Sequence, residues 1–307
     1  MKNIFVMIAM AFASVVYAAP AADAPAAECD GIKVATGPKG KGYSTLFADM
    51  AKILGNKIPL CEVNTSGGLD NLNALSVKEA DIGFVQIDTW MDMKNGDENI
   101  AALQYIMPMN SNYLHVVTST TGFTQVVASR LIGTEKKQVV INNFSDLRGQ
   151  RVALVGSAQL LGRKLDKQLG YGMQTIDAKN DGEAFEMVKK GQVAAALTVS
   201  GWPSGTVKVL TQNDGLTLVP FNAPISEPYK VKPLNYKNIA VYNNNSLGIP
   251  NVLVSRSFSG QRAANVAAIQ AGLARNITEL KEGNYQPAWN EVNPKGAVPN
   301  MTPFKAK

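Results

Sequence analysis

Residues 32–54 of the chain read IKVATGPKGKGYSTLFADMAKIL. Residues 32–36 form a short β-type run, and residues 43–54 place their apolar side chains on one helical stripe, with a glycine-rich turn between the two. The same order returns farther along, where strands are predicted at residues 60–65 and 81–86 with a helix between them. Strands that alternate with helices predict an α/β fold, with a parallel sheet and helices on its faces.

A second unit of the same kind follows an extended segment at residues 113–119. Its predicted strands and helices lie at residues 151–155, 157–169, 174–177, 182–190 and 193–199. A long helix is predicted at residues 260–282. The proline-rich tail from residue 284 is expected to wrap the surface without regular structure.

The order of these elements predicts two βαβ lobes joined by a two-strand hinge. The chain would cross to the second lobe near Ser119 and return near Phe221. Lobe 1 then comprises residues 29–118 and 222–307, and lobe 2 comprises residues 119–221.

The N-terminus is typical of an exported protein. Lys2 supplies a positive charge, residues 4–16 form an apolar stretch, and Val16-Tyr17-Ala18 has the small-residue pattern of a cleavage site. We predict a signal peptide over residues 1–18, a flexible leader rich in Ala and Pro over residues 19–28, and a periplasmic location. The apolar stretch is shorter than the ~20 residues of a membrane span.

The chain has two cysteines, Cys29 and Cys61. An exported protein with two cysteines is predicted to join them in a disulfide, because the compartment is oxidising. Neighbouring parallel strands would bring both residues to the same end of the sheet, which suits the geometry of such a bond.

Composition and motifs argue against other classes of protein. The formal net charge is +6 at pH 7, but Lys and Arg are scattered among acidic residues, so no nucleic-acid-binding patch is predicted. His115 is the single histidine and lies in an apolar strand, where a structural role is expected. No nucleophile or metal-ligand motif accompanies it, and we predict no enzyme activity, no cofactor and no metal site.

Glycine-rich turns after the predicted strands are the candidate ligand-binding segments. Residues 35–44 nearly spell the phosphate-binding P-loop, but Tyr43 stands where that motif requires lysine. Such a turn aims backbone N–H groups at an anion, and the alternative is a tight turn that needs glycine for its shape alone. A second turn, Thr65-Ser66-Gly67-Gly68, would meet the first at the carboxyl edge of the parallel sheet.

Further polar and aromatic residues are expected at the same edge. Gln86 and Asp88 follow the third strand, and Asp88 is equally well explained as a helix N-cap. In lobe 2, Ser157 opens a helix and either binds an anion or caps that helix. Trp202 follows the strand at residues 193–199 and either closes an aromatic wall over the ligand or packs as core.

Seven segments together form a more specific pattern: residues 35–51, TSGGLDNL at 65–72, ADIGFVQID at 80–88, SDLRGQRV at 145–152, the turn Gly156-Ser157, GQVAAA at 191–196 and GWP at 201–203. The pattern resembles the TAXI family of TRAP-transporter solute receptors. The resemblance implies a type II periplasmic-binding-protein fold in a hinged monomer. It also implies a small anionic solute, glutamate-like or a dicarboxylate, that is passed to a TRAP-type membrane permease.

Carried over by motif, the resemblance implies ligand contacts at Gly42, Tyr43, Ser66, Gly67, Asn71, Gln86, Asp88, Ser157 and Trp202. The chain departs from the family in the first turn, where Gly40-Lys41-Gly42 replaces a pair of glycines, and at Gly68, where serine is common. Lys39 adds positive charge beside that turn and is included among the expected ligand contacts.

Two other functions compete with the transport receptor. A sensor or surface binding protein without its own transporter would share the fold, because docking surfaces leave no motif. A cleft enzyme on the same fold, as in the precursor-synthesising enzymes of thiamine metabolism, would need a reactive side chain in the cleft. The single histidine disfavours it.

Overall fold

The computed structural model describes residues 29–128, 134–239 and 244–306, so the predicted signal peptide (residues 1–18) and leader (residues 19–28) lie outside the described residues. The strands are β1 (Ile32–Ala35), β2 (Leu60–Val63), β3 (Ile82–Gln86), β4 (Gln104–Ser119), β5 (Phe123–Ala128), β6 (Thr134–Val139), β7 (Arg151–Val155), β8 (Gln174–Ala178), β9 (Ala195–Ser200), β10 (Leu216–Leu218), β11 (Lys230–Pro233) and β12 (Asn245–Ser255). The α-helices are α1 (Gly42–Leu54), α2 (Gly68–Ser76), α3 (Ile87–Met93), α4 (Glu98–Ala101), α5 (Ala158–Leu169), α6 (Asp181–Lys189), α7 (Gly260–Arg275) and α8 (Ile277–Glu282).

Ten of the strands in the described ranges form one mixed sheet. Its main path runs β2-β1-β3-β12-β4-β9-β7-β8, with β10 added on β4 and β11 on β12. Strand β1 is parallel to β2 and β3, and β7 is parallel to β8 and β9, whereas β4 and β12 run antiparallel to their neighbours. The first strand group (β1–β3) and the second strand group (β7–β9) are therefore two parallel βαβ units, as the alternation of elements predicted.

Strands β4 and β12 connect the two groups. The 16-residue strand β4 pairs with β12 along its first two thirds and with β9 from Tyr113 to Thr118. Strand β12 pairs with β3 from Asn251 to Ser255. Two long strands thus run from one parallel group to the other, which is the arrangement expected of a hinge. The exact division of the chain into lobes stays a prediction.

Separate hydrophobic cores cover the two strand groups. Around the first group, Leu46 of α1 and Val266 of α7 share a core with Phe84 of β3 and Leu253 of β12. Around the second, the buried residues include Leu154 of β7 and Leu165 of α5. Because each parallel group has its own core, each can hold its own wall of a site between them.

The C-terminal part differs from the sequence prediction in two ways. The long helix is divided at Asn276 into α7 and α8. The tail was predicted to lie on the surface without regular structure, and this was wrong. It contains a 3₁₀ helix (Pro287–Glu291) and buries Trp289 and Phe304 in the core of the first group. The indole nitrogen of Trp289 donates to the Asp49 carboxylate at 2.9 Å, which satisfies its polar atom inside the core.

Cys29 and Cys61 are both disulfide-bonded, which confirms the disulfide prediction.

Strands β5 and β6 form a two-stranded sheet of their own. Over the described ranges, no helix is both long and apolar enough to span a bilayer.

Candidate functional site

A cavity of about 200 Å³ lies where the starts of α2 and α5 meet the end of β3. On the side of the first strand group it is lined by residues 66–70, Gln86 and Thr89, and on the side of the second by Gly156, Ser157, Gln159 and Leu160. Pockets for drug-sized ligands are typically ~300–1,000 Å³, so this cavity fits a small metabolite.

Glycines in unusual backbone conformations shape both walls. Gly67 has φ +140° directly before α2, and Gly156 has φ +54° directly before Ser157 and α5. Side chains other than glycine rarely adopt these values, so the two turns require glycine. Both turns lie directly before the first residues of a helix, where backbone N–H groups lack partners within that helix.

Asn71 holds the first of these turns in place. Its side-chain oxygen accepts from the Thr65 hydroxyl at 2.6 Å, and its amide nitrogen donates to the Phe84 carbonyl at 2.7 Å. The side chain is fully buried and does not line the cavity. Asn71 therefore positions the Ser66-Gly67 wall against β3.

The cavity is lined by polar groups that have no protein partner. The side chains of Ser66, Asp70, Gln86, Ser157 and Gln159 make no hydrogen bond to any described residue. Gln86 is 5 % exposed although its side chain carries an amide with two donors and an acceptor. Buried polar groups are normally hydrogen-bonded, so the Gln86 amide is placed to bind a polar solute or water, and the four more exposed side chains are free to contact the same solute.

Of the ten predicted ligand residues, four line the cavity: Ser66, Gly67, Gln86 and Ser157. The first glycine turn (residues 37–42) does not line the cavity, although Gly37 lies against Gly67 and accepts from the Thr65 N–H at 3.2 Å. Lys39 and Gly42 are exposed. The Tyr43 ring stacks on Phe84 with 5.3 Å between ring centroids.

The Tyr43 hydroxyl belongs to a network on the two connecting strands. It donates to Asn251 Oδ1 of β12 at 2.8 Å and accepts from Asn112 Nδ2 of β4 at 3.2 Å. Burial raises the pKa of Tyr43 well above its ordinary value, so the phenol is neutral. This network ties the start of α1 to the strands that join the two groups.

Asp88 lies behind the cavity wall, next to Thr89. Its carboxylate accepts from the Thr89 N–H at 2.8 Å and from the Tyr229 hydroxyl at 3.1 Å. Burial raises the pKa of Asp88, and the nearby Lys164 ammonium partly opposes that shift. Lys164 also bonds both carboxylate oxygens of Asp92 at 2.9 Å, so an ion pair joins α5 to α3 beside the cavity.

Trp202 lies on a polar cluster away from the cavity. The Lys232 ammonium is 5.3 Å from the centre of its ring and pairs with Glu291, which accepts from the Tyr113 hydroxyl at 2.8 Å. The Trp202 indole nitrogen is buried and has no partner among the residues described. Trp202 packs partly against the core of the second group.

His115 is 1 % exposed and lies in the core of the second strand group. Its Nδ1 donates to the Tyr113 carbonyl at 2.9 Å and its Nε2 accepts from the Tyr236 hydroxyl at 2.7 Å. Burial lowers the pKa of His115 to about 4, so the ring is neutral near pH 7. It contacts no cavity residue through these bonds.

The list of ten predicted contacts omitted seven lining residues: Gly68, Leu69, Asp70, Thr89, Gly156, Gln159 and Leu160. Gly68 and Gly156 belong to the glycine turns themselves, and four of the others follow those turns in the first turn of α2 or α5, which lies at the same edge of the sheet. Leu69 and Leu160 resembled ordinary core positions in the sequence.

Two solved structures share this fold. An ancestral arginine-binding protein bound to arginine matches over 81% of this chain and 95% of its own, with 15% identity and a TM-score of 0.50. The substrate-binding protein AbpA of an amino acid ABC transporter from Streptococcus pneumoniae, bound to L-arginine, matches over 85% of this chain and 94% of its own, with 13% identity and a TM-score of 0.50. The fold is that of the type II periplasmic binding proteins, which confirms the predicted fold class.

The sequence profile of the NMT1-like family matches residues 34–240, and the chain belongs to that family. The profile match does not test the resemblance to TAXI receptors, which stays a prediction.

Proposed function

We propose that the protein is a periplasmic receptor that binds a small carboxylate solute in the cavity between α2 and α5 and delivers it to a membrane transporter. The observation that carries this proposal is the cavity itself. Its two walls come from the two parallel strand groups, and each wall begins a helix of at least nine residues at a glycine turn. Free N–H groups at a helix start favour a negatively charged ligand group.

The connecting strands and the ion pair beside the cavity support closure around the solute. Lys164 of α5 and Asp92 of α3 come from opposite cavity walls and pair at 2.9 Å. Bound solute would favour the same approach, because it contacts both walls. Ligand binding and closure are then one coupled equilibrium.

The recipient of the solute in this proposal is a TRAP-type permease. The support is the resemblance to TAXI receptors of residues 35–51, 65–72, 80–88, 145–152, 156–157, 191–196 and 201–203. Export to the periplasm is supported by the N-terminal sequence and by the disulfide, which needs an oxidising compartment. Uptake of the bound solute by proteoliposomes that hold such a permease, with and without the receptor, tests this step.

The binding function is tested by thermal unfolding of the mature chain, refolded to release solute carried from the host. A panel of amino acids, mono- and dicarboxylates and phosphorylated metabolites is compared at high concentration. A ligand at 100 times its dissociation constant stabilises the fold by ~2.7 kcal/mol, a shift of several degrees. If no compound in the panel shifts the unfolding temperature, the receptor proposal fails.

A blocked cavity supplies the second test. An added Cβ at Gly68 would lie 3.7 Å from its nearest atoms, both on Gln86, so the first atom of the Gly68→Leu side chain is accommodated and the rest competes with a ligand for the space beside Gln86. We expect it to abolish the ligand-induced shift. Gly205→Leu is the matched control, because Gly205 is exposed and an added Cβ there meets nothing within 4 Å.

A further inference from the structure

We propose that the solute is a neutral α-amino acid with an aliphatic side chain, an inference that rests on the receptor function proposed above. The amino acid lies across the cavity. Its ammonium group faces Asp70, its carboxylate faces the start of α5, and its side chain lies between Leu69 and Leu160.

The two helix starts differ in charge, and this difference sets the orientation. Helix α2 carries Asp70 in its first turn, whereas α5 has no acidic residue in its first turn. The Asp70 carboxylate makes no ion pair or hydrogen bond with any described side chain. It repels a second carboxylate and attracts a cation, so the α2 wall is the negative pole of the cavity.

The α5 wall is the positive pole. Ser157 is the N-cap of α5, and its hydroxyl makes no capping bond to the helix. The Gln159 N–H donates to the Gly156 carbonyl at 2.9 Å, so the groups that this wall offers to a carboxylate are the Ser157 hydroxyl and the N–H groups of Ala158 and Leu160.

Gln86 provides the observation that is independent of the helix ends. Its side chain lines the cavity, is more than nine-tenths buried and has no partner in the described part of the chain. An amide can donate to a carboxylate and accept from an ammonium group. A zwitterion placed between the two walls would satisfy this buried amide, which would otherwise lose its hydrogen bonds.

The lining contains no Lys, Arg or His side chain among the described residues. A dicarboxylate, or glutamate, would bring a second negative charge into a cavity that already holds Asp70. Removing an unpaired charge from water is costly. The cavity therefore favours a ligand of zero net charge over the glutamate-like or dicarboxylate solutes that the family resemblance implied.

Two leucines give the apolar part of the site. Leu69 of α2 is 43 % exposed and Leu160 of α5 is 41 % exposed, and both line the cavity. Large aliphatic side chains left open to a cavity on both walls are suited to cover an apolar group of the ligand.

Titration calorimetry with four compounds tests this inference: L-leucine, 4-methylpentanoate (which lacks the ammonium group), 3-methylbutylamine (which lacks the carboxylate) and L-glutamate. We expect L-leucine to bind at least ~10-fold more tightly than each of the others, because each of the others loses a charged contact or adds a repulsive one. Tighter binding of L-glutamate would overturn the inference and leave the receptor function standing. Absence of binding by these compounds and by the whole metabolite panel would overturn both.

The Asp70→Asn variant gives a charge-specific readout. The variant should lower the affinity for L-leucine by about 10- to 100-fold, because it removes an attractive contact with the ammonium group. The affinity for 4-methylpentanoate should stay the same or rise, because the variant removes a repulsion from its carboxylate. Glu79→Gln is the matched control: Glu79 is an exposed carboxylate that follows α2 and does not line the cavity. Equal weakening of both compounds by Asp70→Asn would show a structural role for Asp70 and refute the assignment.

Leu160→Ala tests the apolar contact. It should lower the affinity ratio of L-leucine to L-alanine, whereas Val209→Ala, at an exposed valine outside the cavity, should leave that ratio unchanged. An unchanged ratio in Leu160→Ala would refute the position of the side chain.

Discussion

His115 is a buried neutral base, and this gives the protein a dependence of stability on pH. In the folded chain its pKa is lowered to about 4 from an ordinary 6.5 because of burial. Between pH 4 and pH 6.5, His115 is protonated in the unfolded chain and neutral in the folded chain. The stability that His115 contributes is therefore complete above pH 6.5 and is lost as the pH falls toward 4.

The test is urea unfolding of the native chain and of His115→Asn from pH 7.5 to 4.5. Asparagine keeps a donor and an acceptor but does not titrate. We expect the native chain to lose about 2 to 3 kcal/mol more than the variant across this range. Parallel pH profiles would show that the imidazole is not held neutral.

Asp81 is the most heavily bonded buried carboxylate of the first strand group. Its side chain is 6 % exposed, accepts from the Lys33 N–H at 2.9 Å and from Arg262 at 2.7 Å, and has Arg256 at 3.5 Å. Asp81→Asn should lower the free energy of unfolding by about 2 kcal/mol, since the two arginines lose their partner but keep some contact with water.

Asp177→Asn is the comparison for that variant. Asp177 pairs with Arg163 at 2.7 Å, but both side chains are about half exposed, at 49% and 47%. Its loss should change the unfolding free energy by less than about 1 kcal/mol in denaturant titrations. Equal effects of the two variants would mean that burial does not strengthen the Asp81 bonds.

At the scale of elements, the β5–β6 hairpin depends on one glycine. Gly122 has φ +75°, and an added Cβ would lie 2.2 Å from the Val139 carbonyl oxygen, at the first pair of the hairpin. Gly122→Ala should open the base of the hairpin while the ten-stranded sheet stays folded, because the hairpin is a separate sheet. Hydrogen exchange should show faster exchange confined to β5 and β6.

Gly170→Ala is the control for Gly122→Ala. It shares the unfavourable positive φ but creates no clash with a neighbouring strand. Gly170 has φ +61°, and an added Cβ there meets nothing within 4 Å. It should cost only about 1 kcal/mol and leave exchange in the hairpin unchanged. Similar exchange in the hairpin of both variants would contradict the role assigned to Gly122.

The helices and strands could largely be predicted from sequence, because each follows from the spacing of apolar residues along a short segment and from the turn residues that end it. The predicted helix at residues 43–54 became α1 (Gly42–Leu54), and the glycine turns before α2 and α5 were identified. The C-terminal tail was not predicted, since the burial of Trp289 depends on a partner, Asp49, far away in the chain. The same limit applies to the site. Tyr43 and Asn71 were predicted from motifs to contact the ligand, but their side chains instead hydrogen-bond to β12 and β3, which are distant in sequence.

At the scale of the whole molecule, the ion pair between α5 and α3 should matter for binding more than for folding. Lys164→Met removes the ion pair with Asp92, in which the Lys164 side chain is 21% exposed and the Asp92 side chain is 40% exposed. We expect solute affinity to fall about two- to fivefold, less at high salt, because the pair favours approach of the two cavity walls.

Arg163→Met is the matched control in calorimetric titrations, because Arg163 pairs with Asp177 inside the second strand group and not across the cavity. Its affinity for solute should equal that of the native chain. If both variants bind equally well, the Lys164 pair does not contribute to closure.

The position of β12 has a consequence for how the chain acquires its structure. This strand comes from residues 245–255, yet it occupies the middle of the sheet, between β3 and β4. A chain synthesised from its N-terminus cannot pair β3 or β4 on that side until about four-fifths of its residues exist, and pairings so distant in sequence form slowly. The nascent chain therefore stays incompletely folded for most of its synthesis, which is the condition in which an unfolded polypeptide can be threaded through a secretion channel before it gains its final form.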